Sequence, residues 1–318
     1  MNTYLGVDVG SISTKLTLID ENNHVLCALY LRTEGNPIRA IQNGLKRLRG
    51  KTPHNIEITG VGTTGSARYL AGVVVGADLV KNEISAHAKG VNFFIPEVKT
   101  VIEIGGQDSK IIILENGVVV DFAMNLICAA GTGSFLDAQA FRLGIPIEEF
   151  GQIALKSKQP TIVGSRCTVF AESDMIHKQQ IGHSREDIVA GLCHGLARNF
   201  LANIAKGKKI LPPIVFLGGV SENLGMRKAF NNVLGEEVIV PKHNTVMGAL
   251  GAALLAKENI QGKTKFRGWG VSDQDIKCTS FQCKGCPNLC EVIEARIEGK
   301  VVSMWNDRCG KYSSLKFQ

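Results

Sequence analysis

The strongest constraint on this chain is that it repeats itself. Laying Val101–Leu114 over the N-terminus at an offset of 95 residues pairs Asp8 with Glu103, Gly10 with Gly105, Thr14 with Ser109 and Lys15 with Lys110. In both copies an acid, a glycine two residues on and a lysine seven residues on lie between runs with the apolar pattern of strands. A duplicated strand, glycine turn and strand predicts an α/β chain of two similar lobes facing each other across a cleft.

The surrounding segments fit that plan. Tyr4–Val9, Lys15–Ile19 and Val25–Leu31 read as a β-meander, and Ile56–Val61 as a strand feeding a helix. Pro37–Arg49 places Ile38, Ile41, Leu45 and Leu48 at helical spacing. Pro213–Leu217 runs into a third glycine turn, Gly218-Gly219-Val220-Ser221-Glu222-Asn223, in which Ser221 or Asn223 is placed to cap the next helix. Thr245–Ala256, with Gly248, Ala249, Gly251, Ala252 and Ala253, reads as a helix permitting close backbone approach, and Gly262–Gly270 as a linker. The expected division is residues 1–96 with 245–262 as lobe one, 97–244 as lobe two, and 263–318 as a cysteine-rich basic extension.

Both repeated turns suit phosphate. Gly10-Ser11-Ile12-Ser13-Thr14-Lys15 offers backbone N–H groups, the hydroxyls of Ser11, Ser13 and Thr14, and a lysine; Asp8 is placed to hold Mg²⁺ through water. Gly105-Gly106-Gln107-Asp108-Ser109-Lys110 supplies a second such turn, with Gln107 or Asp108 able to orient a hydrolytic water. Plain hairpin turns that use glycine for geometry are the blander reading, weakened by the two turns lying in register. Gly60-x-Gly62-x-x-Gly65 has the outline of a dinucleotide fingerprint, but it lies outside the first βα unit, and the short helix expected at Ala67–Leu70 is broken at Gly72. Glu83 and His87, one helical turn apart, read as a solvated pair before a metal pair.

Charge and thiols narrow the function classes. The net charge is +7, and residues 257–318 hold 11 Lys/Arg against 7 Asp/Glu, yet with two tryptophans and no basic run interleaved with aromatics a nucleic-acid partner is not expected. Apolar stretches such as Met247–Ala256 and Ala71–Gly76 fall short of a membrane span, and the segment around Asp8 is unlike a secretory signal. A cytoplasmic location with reduced thiols is expected. Of the nine cysteines, Cys27, Cys128, Cys167 and Cys193 are scattered, whereas Cys278, Cys283, Cys286, Cys290 and Cys309 crowd the tail. Cys128 and Cys167 each precede a probable helix, at about Ser134–Phe141 and Val169–Lys178, where free N–H groups lower a thiol's pKa. The tail spacing fits metal ligands: its first three cysteines match a plant-type ferredoxin opening, a zinc site fits equally well, and a metal-free basic docking module is the third reading.

Val7-Asp8-Val9-Gly10-Ser11, Ile104-Gly105-Gly106-Gln107-Asp108 and Phe216-Leu217-Gly218-Gly219-Val220 resemble the two phosphate motifs and the adenosine motif of the actin, sugar-kinase and heat-shock-chaperone superfamily. Asn125-x-x-Cys128-Ala129-Ala130-Gly131-Thr132-Gly133 and Cys167-Thr168-Val169-Phe170-Ala171-Glu172-Ser173 resemble one branch, the ATP-dependent activators of 2-hydroxyacyl-CoA dehydratases and benzoyl-CoA reductases. The resemblance covers about residues 3–260 and implies two ribonuclease-H-like lobes closing on ATP or ADP. It implies phosphate and Mg²⁺ contacts from Asp8, Ser11, Ser13, Thr14, Lys15, Gly105, Gly106, Gln107 and Asp108, with Gly218, Gly219, Asn223 and Gly248 around the adenosine. It further implies one 4Fe–4S cluster bridging a homodimer through Cys128 and Cys167 of each subunit, with Gly131-Thr132-Gly133 between cluster and nucleotide. Ferredoxin or flavodoxin would donate the electron, and an iron–sulfur dehydratase, a benzoyl-CoA reductase or a double-cubane-cluster protein would receive it. A small-molecule kinase of the same fold is the alternative, and a nucleotide-switched scaffold ranks third.

Overall fold

In a computed structural model, residues 1–53, 55–125, 129–164 and 167–314 are described, and they divide into two compact units. The first comprises residues 1–82 and 252–318, the second 83–251. Helix α3 (Glu83–Phe94) therefore groups with the second unit, and the cysteine-rich tail with the first.

In the first unit, β1 (Asn2–Val9), β2 (Ser13–Asp20), β3 (Val25–Arg32), β4 (Glu57–Thr64) and β5 (Leu79–Val80) form one sheet in the order β3-β2-β1-β4-β5. The meander is antiparallel, and β4 and β5 join it in parallel. Helix α1 (Pro37–Lys51) starts where Asn36 Oδ1 accepts the Arg39 N–H and Pro37 presets the first turn. Its buried Ile41, Leu45 and Leu48 join Leu5, Val7, Leu16 and Leu18 in the core. Helix α2 (Arg68–Val75) runs straight through Gly72, where the sequence suggests a break, and ends at Gly76 with φ +71°. Apolar Ala71, Val74 and Val75 anchor it, so burial overrides the weak propensity of one glycine.

The second unit repeats the pattern. Strands β6 (Thr100–Ile104), β7 (Ser109–Glu115), β8 (Val118–Asn125), β9 (Ile214–Leu217) and β10 (Val238–Ile239) run in the order β8-β7-β6-β9-β10, three antiparallel and two joined in parallel. Helices α4 (Gly133–Arg142), α5 (Ile147–Leu155), α6 (Thr168–Gln180), α7 (Arg185–Asn203) and α8 (Leu224–Leu234) cover this sheet, and Phe150, Phe200, Phe216 and Phe230 fill its core. The chain thus has duplicated lobes whose two sheets share one strand order. Helix α9 (Met247–Asn259) follows; Gly251 leaves no room for a side chain against the Ala86 carbonyl of α3.

The tail builds β11 (Ile276–Gln282), β12 (Glu291–Ile297) and β13 (Lys300–Trp305), an antiparallel sheet whose Ile276 and Ile297 belong to the first unit's core along with Val271. The presumed linker before it is a fitted strap. Thr264 Oγ1 and the Lys265 N–H both donate to Asp78, at 2.7 Å each, the Arg267 N–H donates to the Val75 carbonyl, and Phe266 stacks edge-on against Trp269.

The glycine fingerprint is explained by packing. A β-carbon on Gly62 would lie 2.1 Å from the Ala252 carbonyl oxygen, and one on Gly60 would meet the Tyr4 ring. Gly62→Ala is expected to lower the unfolding free energy by about 3 kcal/mol in urea titration. Gly50→Ala, at an open position in α1, is expected to raise it by about 0.5 kcal/mol.

Candidate functional site

Each repeat ends its first strand in the same turn. The Gly10 N–H donates to the Ser13 carbonyl and the Gly105 N–H to the Asp108 carbonyl, both at 2.9 Å. Below each turn the acid and the lysine are direct cross-strand partners, Asp8 opposite Lys15 and Glu103 opposite Lys110. Strand register thus turns a spacing of seven in sequence into two ion pairs.

The two turns are braced differently. In the first, Lys15 Nζ stands 3.3 Å from Asp8 Oδ2, the Thr33 hydroxyl donates to the Gly10 carbonyl, and the Thr14 and Thr33 hydroxyls share a 2.9 Å hydrogen bond. Thr14 is fully buried, so it supports the turn from beneath, leaving the exposed Ser11 as the outward hydroxyl. Ser13 is buried too and contributes its carbonyl. Gly65, with φ +91°, folds the chain tightly beside Asp8: a β-carbon there would lie 2.5 Å from Asp8 Oδ1.

In the second turn Lys110 is buried between two carboxylates, 2.8 Å from Glu103 Oε2 and 3.0 Å from Asp108 Oδ2. Burial works to lower the Lys110 pKa, but the adjoining negative charges win and hold it above the ordinary lysine range. Burial, reinforced by Glu103, pushes the Asp108 carboxyl above the usual range against the pull of Lys110. Gln107 is exposed at the tip. Sequence reasoning passed over Glu103 as a site residue, although its register opposite Lys110 is the signal that marks it.

The start of α4 is bonded to this second turn. The Gly133 N–H donates to the Gly105 carbonyl at 2.8 Å, and both the N–H (2.9 Å) and the hydroxyl of Ser134 donate to the Gly106 carbonyl. Thr132 is the buried N-cap. A β-carbon on Gly133 would stand 3.0 Å from the Gly105 carbonyl, and one on Gly131 would stand 3.2 Å from Asn199 Oδ1, so both positions are tight for a side chain. Beside them Gly218, at φ +84°, passes so near the Ile104 carbonyl that a β-carbon would lie 2.2 Å from it. Gly219 is exposed and Gly248, in the first turn of α9, is buried. Asn223, not Ser221, caps α8, through Oδ1 and the Met226 N–H; Ser221 instead donates to the Gly218 carbonyl and accepts from Asn244. Among the described residues, Ser109 Oγ and Asn223 Nδ2 are buried without a hydrogen-bond partner.

Cys167 is the N-cap of α6, where the backbone N–H groups of Val169 and Phe170 hold its thiol below the ordinary range. By contrast Cys193, within α7, is pushed up to about 12 by burial. Phe141, Ile162, Val169 and Phe170 are strongly exposed around this region, and Arg142 of α4 pairs with Glu172 of α6 at 2.7 Å. Cys128 lies outside the described residues. His87 Nδ1 bonds the Glu83 backbone carbonyl, an intrahelical contact. In the tail, Cys283 is buried, Cys278 and Cys290 are half-buried and Cys286 and Cys309 are exposed. Among the described residues no three His, Cys, Asp or Glu side chains stand ready around a metal ion, and no helix is long and apolar enough to cross a membrane.

Removing the cation from between the buried carboxylates should be costly. Lys110→Met is expected to lose about 3–5 kcal/mol of stability. Because its pKa is raised on folding, Lys110 stabilises in full below the ordinary lysine range, and the contribution fades as pH climbs through it. Denaturant titrations between about pH 9 and 11 should show that decline in the wild type and a flatter profile in Lys110→Met.

Comparison with known proteins agrees with this geometry. Residues 5–256 match the model of the BadF/BadG/BcrA/BcrD ATPase family. The 2-hydroxyisocaproyl-CoA dehydratase activator of Clostridioides difficile is 37% identical over 263 residues, covering 82% of this chain and 97% of that protein. The (R)-2-hydroxyglutaryl-CoA dehydratase activating ATPase of Acidaminococcus fermentans is 37% identical over 257 residues, covering 79% and 96%. The solved structure of the Clostridium difficile activator of the 2-hydroxyisocaproyl-CoA dehydratase with bound ADPNP superposes with a TM-score of 0.74 at 34% identity, over 82% of this chain and 100% of that one. With its duplicated lobes, its paired glycine turns and this likeness over four-fifths of its length, the chain belongs to the BadF/BadG/BcrA/BcrD ATPase family.

Proposed function

We propose that this protein is an ATP-hydrolysing activator that passes a low-potential electron to a partner iron–sulfur enzyme of the 2-hydroxyacyl-CoA dehydratase, benzoyl-CoA reductase or double-cubane type. The observation that carries this reading is the bonding of α4 to the second glycine turn. Gly133 and Ser134, five and six residues after Cys128 in sequence, are bonded to the carbonyls of Gly105 and Gly106, which supports a coupling between phosphate at this turn and the start of α4. A kinase would have no use for that linkage.

The residues present fit a nucleotide. The glycine turn of each unit offers phosphate donors, Ser11 from the first and backbone N–H groups from the second. Asp8 is the carboxylate for Mg²⁺, held through water, and Lys15 orients it. Gln107, exposed at the tip, orients the attacking water, and Asp108, with its raised pKa, is the better matched to accept its proton at neutral pH. Lys110 fixes the position of Asp108. Gly218, Gly219 and Asn223, with Gly248, frame the adenosine; the unpartnered Asn223 Nδ2 is in keeping with that role.

The donor set also fits a cluster. Cys167, its pKa lowered by two backbone N–H groups at a helix start, has the chemistry of a thiolate ligand. A 4Fe–4S cluster bound there would supply one-electron transfer at low potential. It needs four thiolates, and Cys128 and Cys167 give two per chain, which calls for a two-fold homodimer. The exposed Phe141, Ile162, Val169 and Phe170 give that dimer an apolar contact around Cys167. Ferredoxin or flavodoxin is the electron donor, and the setting is the cytoplasm.

The test uses anaerobically prepared protein. Cys167→Ser is expected to lose about four irons per dimer and the visible cluster absorption while still binding ATP. Gln107→Ala is expected to slow ATP turnover about a hundredfold with iron content unchanged. Iron-free wild-type protein would refute the redox reading, and ATP turnover dependent on an added sugar would favour the kinase.

A further inference from the structure

The family match ends at residue 256, so it gives the tail sheet no task. We propose that Cys283, Cys286, Cys290 and Cys309 form a tetrathiolate Zn²⁺ site at one end of that sheet, and that Cys278 is not part of it. The inference is independent of the function proposed above.

Strand register makes the selection. Strands β11 and β12 pair with Gln282 opposite Glu291, and the Cys283 N–H donates to the Cys290 carbonyl at 2.8 Å, which extends the ladder by one pair. Cys283 and Cys290 are therefore cross-strand neighbours on one face. Such pairs have α-carbons about 5.5 Å apart, within reach of thiolates spaced about 3.8 Å around one tetrahedral ion with 2.3 Å bonds. Cys278 pairs with the fully buried Ala295. It lies five residues before Cys283, hence on the opposite face and about 16 Å away along the strand. It shares that opposite face with Ile276, which packs into the unit's core, so the ferredoxin-type reading that begins at Cys278 does not suit this fold.

The other two thiols belong to the same end of the sheet. Cys286 lies in the connection between Cys283 and Cys290, where the Gly285 N–H points at Cys283 Sγ, 3.4 Å away, as a donor to a thiolate. The chain after β13 folds back beside it: Asn306 Nδ2 donates to the Glu291 carbonyl, and the Tyr312 ring stands edge-on to Phe281, on the same face as Cys283. The Asp307 carboxylate accepts N–H groups from Tyr312 and Ser313, closing a loop around Cys309. Cys286 and Cys309 are exposed, so swinging their side chains inward completes the site without disturbing a packed core. Four thiolates around Zn²⁺ carry two net negative charges, and Lys284, Arg308 and Lys311 flank them in sequence; Lys311 Nζ lies 3.7 Å from the β-carbon position at Gly285.

Metal counting on the full-length protein, reduced, given one equivalent of zinc and dialysed, decides the matter. The expected result is about one zinc per chain in wild type and in Cys278→Ser, and a loss of at least about fivefold in Cys286→Ser and in Cys309→Ser, with iron unchanged in all four. Cobalt in place of zinc should show the absorption of a tetrahedral thiolate complex, again insensitive to Cys278→Ser. The proposal falls if wild type holds no zinc, if zinc survives both Cys286→Ser and Cys309→Ser, or if Cys278→Ser removes it. It falls equally if Cys286→Ser removes iron in place of zinc, or if peptide mapping of the protein as isolated, before reduction, finds Cys283 and Cys290 joined as a disulfide.

Discussion

Much of the second unit depends on the bonding of helix α4 to the second glycine turn. Gly105 and Gly106 give their carbonyls to the N–H groups of Gly133 and Ser134, while the Gly105 N–H closes the turn on the Asp108 carbonyl. The same bonds satisfy donors at the start of α4 that a helix otherwise leaves unpaired. The arrangement leaves little space for a β-carbon at Gly133 or Gly131. At Gly218 both crowding and a positive φ require glycine.

The duplication explains why the two turns look alike, and their supports explain why they need not act alike. Beneath the first, hydroxyls of Thr14 and Thr33 brace the backbone, and one carboxylate faces one lysine. Beneath the second, a buried lysine bridges two carboxylates, which keeps Glu103 paired and leaves Asp108 with a raised pKa near the exposed end of the group. The same strand register sets one carboxylate against one lysine in the first turn and a lysine between two carboxylates in the second.

The lobes, the three glycine turns and the helix-capping places of Cys167 and Asn223 were legible because each follows from a short local pattern: a period of two ending in glycine, or a polar residue ahead of an apolar helix. What was not legible depended on partners distant in sequence. Thr14 read as a phosphate hydroxyl because nothing local says that Thr33 claims it. Gly72 read as a helix break because the burial of Val74 and Val75 outweighs local propensity. The strap before the tail read as a linker because Asp78, which receives Thr264 and Lys265, lies far back in the chain. Tail cysteines read as one group of five because spacing cannot reveal that one of them sits on the other face of a strand.

The cysteines show how strongly backbone position sets thiol chemistry. Cys193 and Cys167 both belong to helices of one unit, yet burial inside α7 holds the first protonated, while the open N–H groups at the start of α6 favour the thiolate of the second. A buried thiol is an inert packing group. A half-buried thiol at a helix start, two and three residues before the exposed Val169 and Phe170, has its pKa lowered beside a surface that has something to gain from being covered. Both properties converge on Cys167 and neither on Cys193, so of these two thiols the reactive one stands at the start of α6 and the inert one in the core.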